Sequence, residues 1–117
     1  MGKLSTHVLN VAEGIPAAGL RVQLLDDSAV AAAVLTDLRT NADGRTASPL
    51  LEGAALRVGR YRLRFFVAEY FRERHAAISE PPFLDVVDIA FGIADATQGY
   101  HVPLLVSPWS YSTYRGS

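Results

Sequence analysis

A period of two dominates the chain. Leu20, Val22 and Leu24 alternate with Arg21 and Gln23, and Tyr61, Leu63 and Phe65 alternate with Arg60, Arg62 and Arg64. Val87, Ile89, Phe91 and Ile93 alternate with Asp88, Ala90 and Gly92. Tyr100, Val102, Leu104 and Val106 alternate with His101, Pro103 and Leu105. Successive side chains of a strand point to opposite faces, so each run predicts a strand with one face on a core and one in water. A first strand is expected near Thr6–Asn10 and a last one near Trp109–Arg115.

Turn chemistry divides these runs. Glu13-Gly14-Ile15-Pro16 and Ala18-Gly19 follow the first strand, and Glu80-Pro81-Pro82 and Ser107-Pro108 interrupt later segments. Asn41-Ala42-Asp43-Gly44 predicts a tight turn, because glycine after aspartate tolerates positive φ. Many short strands with turns between them predict an all-β, two-sheet β-sandwich. Two segments depart from the pattern. Ala29–Leu35 is alanine-rich, and a strand is expected only near its C-terminal half. Val67–Ala77 carries Tyr70, Phe71 and Arg74 at helical spacing and predicts one short helix.

The length of 117 residues, half of them hydrophobic, suits a single domain spanning 1–117. So small a domain gains from assembly, which makes an oligomer plausible. The net charge of −1 excludes the one-sided basic balance of a nucleic-acid binder. Arg60, Arg62 and Arg64 read as the wet face of a strand rather than a phosphate-binding stripe. With no cysteine there are no disulfides, catalytic thiolates or thiolate metal sites. No secretory signal, membrane span or peroxisomal address is expected, and the cytoplasm is the default location.

Candidate chemistry is concentrated in few residues. His7, His75 and His101 are the three histidines, the side chain best suited to proton transfer near neutral pH. His7 lies in the first strand and His101 in the penultimate one, so the two can meet if those strands pair. Each could instead be a partly buried histidine bonded to a backbone carbonyl. No metal is expected: histidine spacings of zinc sites are missing, and His75 sits beside Arg72 and Arg74. Arg45 follows the Asp43-Gly44 turn, where its planar fork could grip a carboxylate or the edge of a heterocycle, or simply be solvated. The stretch after Ser107-Pro108 is rich in Tyr, Ser and Thr up to Ser117, which supplies either positioned hydroxyls or packing. Asp26-Asp27, Glu69 and Glu73 read as exposed charge, and neither a nucleophile elbow nor a phosphate loop is present.

Four segments, taken in order, resemble the 5-hydroxyisourate hydrolase family, also called transthyretin-related proteins. They are Leu4-Ser5-Thr6-His7-Val8-Leu9 with Gly14-Ile15-Pro16-Ala17, Thr40-Asn41-Ala42-Asp43-Gly44-Arg45, Tyr100-His101-Val102-Pro103-Leu104-Leu105 with Ser107-Pro108, and Tyr114-Arg115-Gly116-Ser117. The resemblance implies a transthyretin-like two-sheet β-sandwich with one short helix. It also implies a homotetramer, a dimer of dimers with sites between dimers, that hydrolyses 5-hydroxyisourate without a cofactor. On this reading His7, Arg45, His101 and Ser117 are catalytic, and His7, Arg45 and Tyr114 bind substrate. Asn10, Phe83-Leu84-Asp85 and Trp109-Ser110 depart from the family's pattern, outside the site segments. The main competing reading is a binding module of the same fold, as in the vertebrate thyroid-hormone carrier. A sandwich that only assembles with partners is a third.

Overall fold

The computed structural model describes residues 2–116. Its strands are β1 (Lys3–Ser5), β2 (Val8–Asn10), β3 (Ile15–Pro16), β4 (Arg21–Asp26), β5 (Ala33–Arg39) and β6 (Leu51–Glu52), followed by β7 (Gly59–Phe65), β8 (Val87–Ile93), β9 (Tyr100–His101), β10 (Leu104–Val106) and β11 (Tyr111–Thr113). One helix, α1 (Val67–Glu73), follows β7. One layer is the sheet β5-β4-β7-β8. The other consists of two shorter sheets, β6-β1-β9 and β11-β10-β2-β3. These two are halves of a single layer. Leu4 pairs with Tyr100 and Val8 with Leu104, so the parallel register is the same on both sides of the interruption.

The expected first strand, Thr6–Asn10, is thus corrected to two strands broken at Thr6-His7, and the late run from Tyr100 to Val106 is likewise divided at Val102-Pro103. Proline explains the break, since Pro103 has no N–H to give to the ladder. The Val102 carbonyl accepts instead from the hydroxyl of buried Thr6 at 2.7 Å. Bonds from Val102 N to Ser5 O and from Leu104 N to His7 O, both 2.9 Å, carry the pairing across.

Burial follows the period-two pattern. Leu4, Val8, Leu20, Val22, Leu24, Leu63, Phe65, Leu104 and Val106 have no exposed surface, and they join the two layers in one core. Burying each large side chain is worth roughly 1.5–3 kcal/mol. The wet face of β5-β4-β7-β8 is laced with ion pairs. Arg21 grips Asp37, Arg62 reaches Asp27 and Asp88, and Arg64 reaches Asp88. Such pairs contribute ~0–1 kcal/mol each, so the core stabilises the sandwich and the charges mainly favour this cross-strand register. Asp27, expected to be merely exposed, is one of these partners, and Glu69 and Glu73 both face Arg39.

Only the C-terminal part of the alanine-rich segment is strand, as expected. Its strand begins at Ala33, where pairing with Asp26 starts, and runs on to Arg39. The helix is shorter than Val67–Ala77. It buries Val67, Ala68, Tyr70 and Phe71 and ends after Glu73. His75 then takes φ +57, while His75 N bonds Arg72 O at 2.9 Å and Ala76 N bonds Phe71 O at 3.0 Å. This is the paired termination in which a left-handed residue closes a helix, a place glycine fills without steric penalty. No described helix is long and apolar enough to cross a membrane. His75→Gly is expected to stabilise the fold by about 0.5–1 kcal/mol, read as a higher urea midpoint. A lower midpoint would show that the imidazole contributes more than the strain costs.

Candidate active site

Strand alternation decides which side chains meet. Leu4, Thr6 and Val8 point into the core, so Ser5 and His7 occupy the opposite, half-buried face. On the neighbouring strand Tyr100 and Val102 point inward and His101 outward. Ser5 is the register partner of His101, and its hydroxyl lies 2.8 Å from His101 Nδ1. His7, two residues further along, sits diagonally across from His101, roughly 8 Å away by strand geometry. Residues 96 positions apart in sequence therefore share one face.

Arg45 is brought to His7 by the turn between β5 and β6. Asn41 holds this turn closed: its Oδ1 accepts from Asp43 N and Arg45 N, and its own N donates to Arg45 O at 2.7 Å. Gly44 adopts φ +75, and a Cβ there would lie 2.3 Å from the Val8 carbonyl oxygen. The turn thus presses on β2, with Val8 N bonded to Gly44 O at 2.8 Å, and Arg45 forms an isolated bridge with His7. Together with Ser5, Thr6, Thr46, Ser48 and Pro49, Arg45 lines an open cavity of about 220 Å³. Among the described residues its guanidinium enters no ion pair.

The histidines differ in their surroundings. His7 Nε2 lies 2.8 Å from the Asp43 carbonyl oxygen. A carbonyl only accepts, so Nε2 carries the proton and neutral His7 keeps its lone pair on Nδ1. Its contact is of the backbone-carbonyl kind, yet it faces the other candidates. His101 is held below the ordinary 6.5 by burial first, then by the nearby charges of Arg45 and His7. It is therefore neutral at pH 7, with a lone pair available as a base. Folding lowers this pKa, so the native protein binds the proton less readily than the unfolded chain. Acidification below pH 6.5 therefore erodes stability first, as the unfolded chain takes up the proton, and the base is lost at lower pH, when the native imidazole is protonated.

The tail runs past His101. Beyond β11, Gly116 pairs with His101, with Gly116 N donating to His101 O at 2.7 Å. Tyr114 is 61% exposed and lines a different cleft, of about 250 Å³, with Phe91, Tyr100, Val102 and Arg115. Within one chain it does not reach the cavity beside Arg45. Ser117 lies outside the described residues. His75, exposed at the helix end, takes no part, and no group of three potential metal ligands occurs among the described residues. Two residues at the site had no role in the sequence reading, Ser5 and Gly116. The same alternation that selects His7 also selects Ser5, two positions earlier on the same face.

The departures from the resembled pattern are structural. Buried Asn10 accepts from Ala12 N and Glu13 N and donates to the Tyr70 hydroxyl at 3.2 Å, tying β2 to α1. Phe83 is exposed while Leu84 packs on the core. Trp109 and Ser110 form a turn whose backbone N–H groups reach Ser107 Oγ.

A β-sandwich with two imidazoles and a guanidinium that has no ion pair among the described residues, all on one outward face, defines a transthyretin-type protein equipped for proton transfer. The chain belongs to the HIUase/Transthyretin family, whose profile matches residues 4–116. It is 52% identical over 117 residues to a 5-hydroxyisourate hydrolase of Ralstonia nicotianae, covering the whole of both chains. Among solved structures it resembles (S)-allantoin synthase, with a TM-score of 0.94 and 44% identity over 99% of this chain. The match takes in 44% of that longer chain, so this protein spans less than half of it. The fold is also that of sea bream transthyretin, solved with thyroxine, at a TM-score of 0.86 and 22% identity over 97% of this chain and 94% of that one.

Replacing Arg45 by Gln removes one of the positive charges bearing on His101. The His101 pKa is expected to rise toward 6.5, measured by NMR titration of its ring protons. An unchanged titration would place the guanidinium too far away to act.

Proposed function

We propose that this protein hydrolyses 5-hydroxyisourate to 2-oxo-4-hydroxy-4-carboxy-5-ureidoimidazoline, a step of urate degradation, without a metal or other cofactor. The observation that carries this reading is the convergence of a neutral, pKa-depressed His101 with His7 and with Arg45, which has no ion pair among the described residues. The substrate is a flat, activated cyclic amide. His101 takes a proton from water, and the resulting hydroxide adds to the carbonyl carbon. Arg45 holds the flat edge of the ring and steadies the oxyanion. The ring C–N bond then breaks, and the leaving nitrogen receives a proton from the histidine pair. Tyr114 and Ser117 complete the site from the tail, Tyr114 by presenting substrate and Ser117 by orienting the water or a histidine.

A homotetramer, a dimer of dimers, fits this reading. Ligand pockets typically enclose about 300–1,000 Å³, and the cavity beside Arg45 is smaller and open. Outward-facing Leu9 and Leu105 extend the same half-buried face. A second subunit laid on that face would shield the reacting groups from water and strengthen their electrostatics. The cytoplasm suits a chain without cysteine. A pure ligand carrier would have no use for an acid–base pair at this position.

The test follows decay of freshly prepared 5-hydroxyisourate by ultraviolet absorbance. His101→Ala is expected to lower kcat by about 10²–10⁴-fold, and Arg45→Lys by about 10²-fold because the planar fork is lost. A wild-type protein that leaves the spontaneous decay rate unchanged would favour the carrier. In sedimentation equilibrium the protein should run at four times the chain mass of 12.7 kDa. A stable, fully active monomer would refute the shared site.

A further inference from the structure

His101 is gripped from two sides by residues that have no role in the reaction as outlined. On one edge of the ring, Ser5 Oγ lies 2.8 Å from Nδ1. On the other edge lies the backbone of Gly116. A Cβ built on Gly116 would stand 3.0 Å from both Cβ and Cδ2 of His101 and 3.3 Å from Cγ. Gly116 is not among the glycines with positive φ. Close approach of the His101 side chain, not backbone conformation, is therefore what a side chain there would meet, and the imidazole would have to give by a few tenths of an ångström.

The tail is itself anchored where this contact requires it. Arg115 stacks 4.3 Å over the Tyr100 ring and donates to Gln98 Oε1 at 3.0 Å and to Gly99 O at 3.2 Å. Gly116 then pairs with His101 in the register that β11 already has with β10, continued past Pro103. With Nδ1 at Ser5 and the Cγ–Cδ2 edge at Gly116, Nε2 is the ring nitrogen with no hydrogen bond among the described residues. Both charges that bear on His101, from Arg45 and His7, are positive when present. A neutral ring among cations is lower in energy with a lone pair, not an N–H, on its outward nitrogen. The Ser5 hydroxyl can accept the remaining N–H.

We infer that Ser5 and Gly116 are positioning residues for His101: together they hold its imidazole in the Nδ1–H tautomer, with Nε2 aimed outward as the atom that takes the proton from water. This deepens the hydrolase reading and rests on it. Ser5 selects the tautomer and Gly116 sets the ring's angle. Without the first, part of the population presents an N–H where a lone pair is needed. Without the second, the lone pair points away from the water.

The test pairs an activity-independent readout with kinetics. Long-range proton–nitrogen NMR on histidine-labelled, ligand-free protein, above the His101 titration, reports which ring nitrogen is protonated. The wild type should show Nδ1–H. Ser5→Ala should give a mixed population and lower kcat by about tenfold with KM within about twofold, while Ser5→Thr, which keeps the hydroxyl, restores both. Gly116→Ala should keep the tautomer but also lower kcat by about tenfold, with the melting temperature monitoring the fold. A wild-type His101 protonated on Nε2, or Ser5→Ala and Gly116→Ala variants with wild-type kcat, would overturn the inference. Inactive wild-type protein would overturn the hydrolase reading instead, and the NMR result would still decide between tautomers.

Discussion

Parallel pairing of the first and the late strands is the constraint on which the site depends. The pairing brings Ser5 beside His101 and Val8 beside Leu104 at one constant offset, so the two halves of the layer stay in step across the gap at Pro103. Slipping it by one residue would turn every inward side chain outward, exposing Leu4, Val8, Leu104 and Val106. The fully buried leucines and valines therefore hold the register, and the register places the imidazoles. The core residues thus specify where the candidate site residues sit.

The two layers treat charge differently. On β5-β4-β7-β8 Arg21, Arg62 and Arg64 are paired with carboxylates, which satisfies them and keeps that face wet. On the outward face of the other layer Arg45 is beside histidines instead, and its field works to keep His101 neutral. A guanidinium with no carboxylate partner among the described residues has its planar fork open to an anion. The turn that carries it is held by the Asn41 side chain and, because Gly44 has no Cβ, lies directly against β2, which fixes where the charge is presented.

Membership of a family that includes both 5-hydroxyisourate hydrolases and transthyretins gives the fold but leaves the chemistry to a few positions. In this chain the positions we propose for it are His7, Arg45 and His101, with the backbone of Gly116 laid along His101. The residues that depart from the resembled pattern lie elsewhere and are absorbed by ordinary means. The Asn10 amide, for instance, uses both its acceptor and its donor within the core.

The sequence by itself determined the sandwich, the strand faces and the Asn41–Arg45 turn, because alternation and turn chemistry are local properties. It also named the candidate groups, since few side chains in this chain can move protons or bind anions. It did not reveal the break at Thr6-His7, because that follows from a proline on another strand, at Pro103. It placed a strand in the C-terminal half of the alanine-rich segment but not its continuation to Arg39, which pairing with β4 sets. Only the tertiary structure decided that Ser5 and Gly116 flank His101 and that Tyr114 turns to a separate cleft. Those relations join positions about a hundred residues apart, or lie across a sheet edge, and no local pattern encodes the distance between strands that meet only on folding.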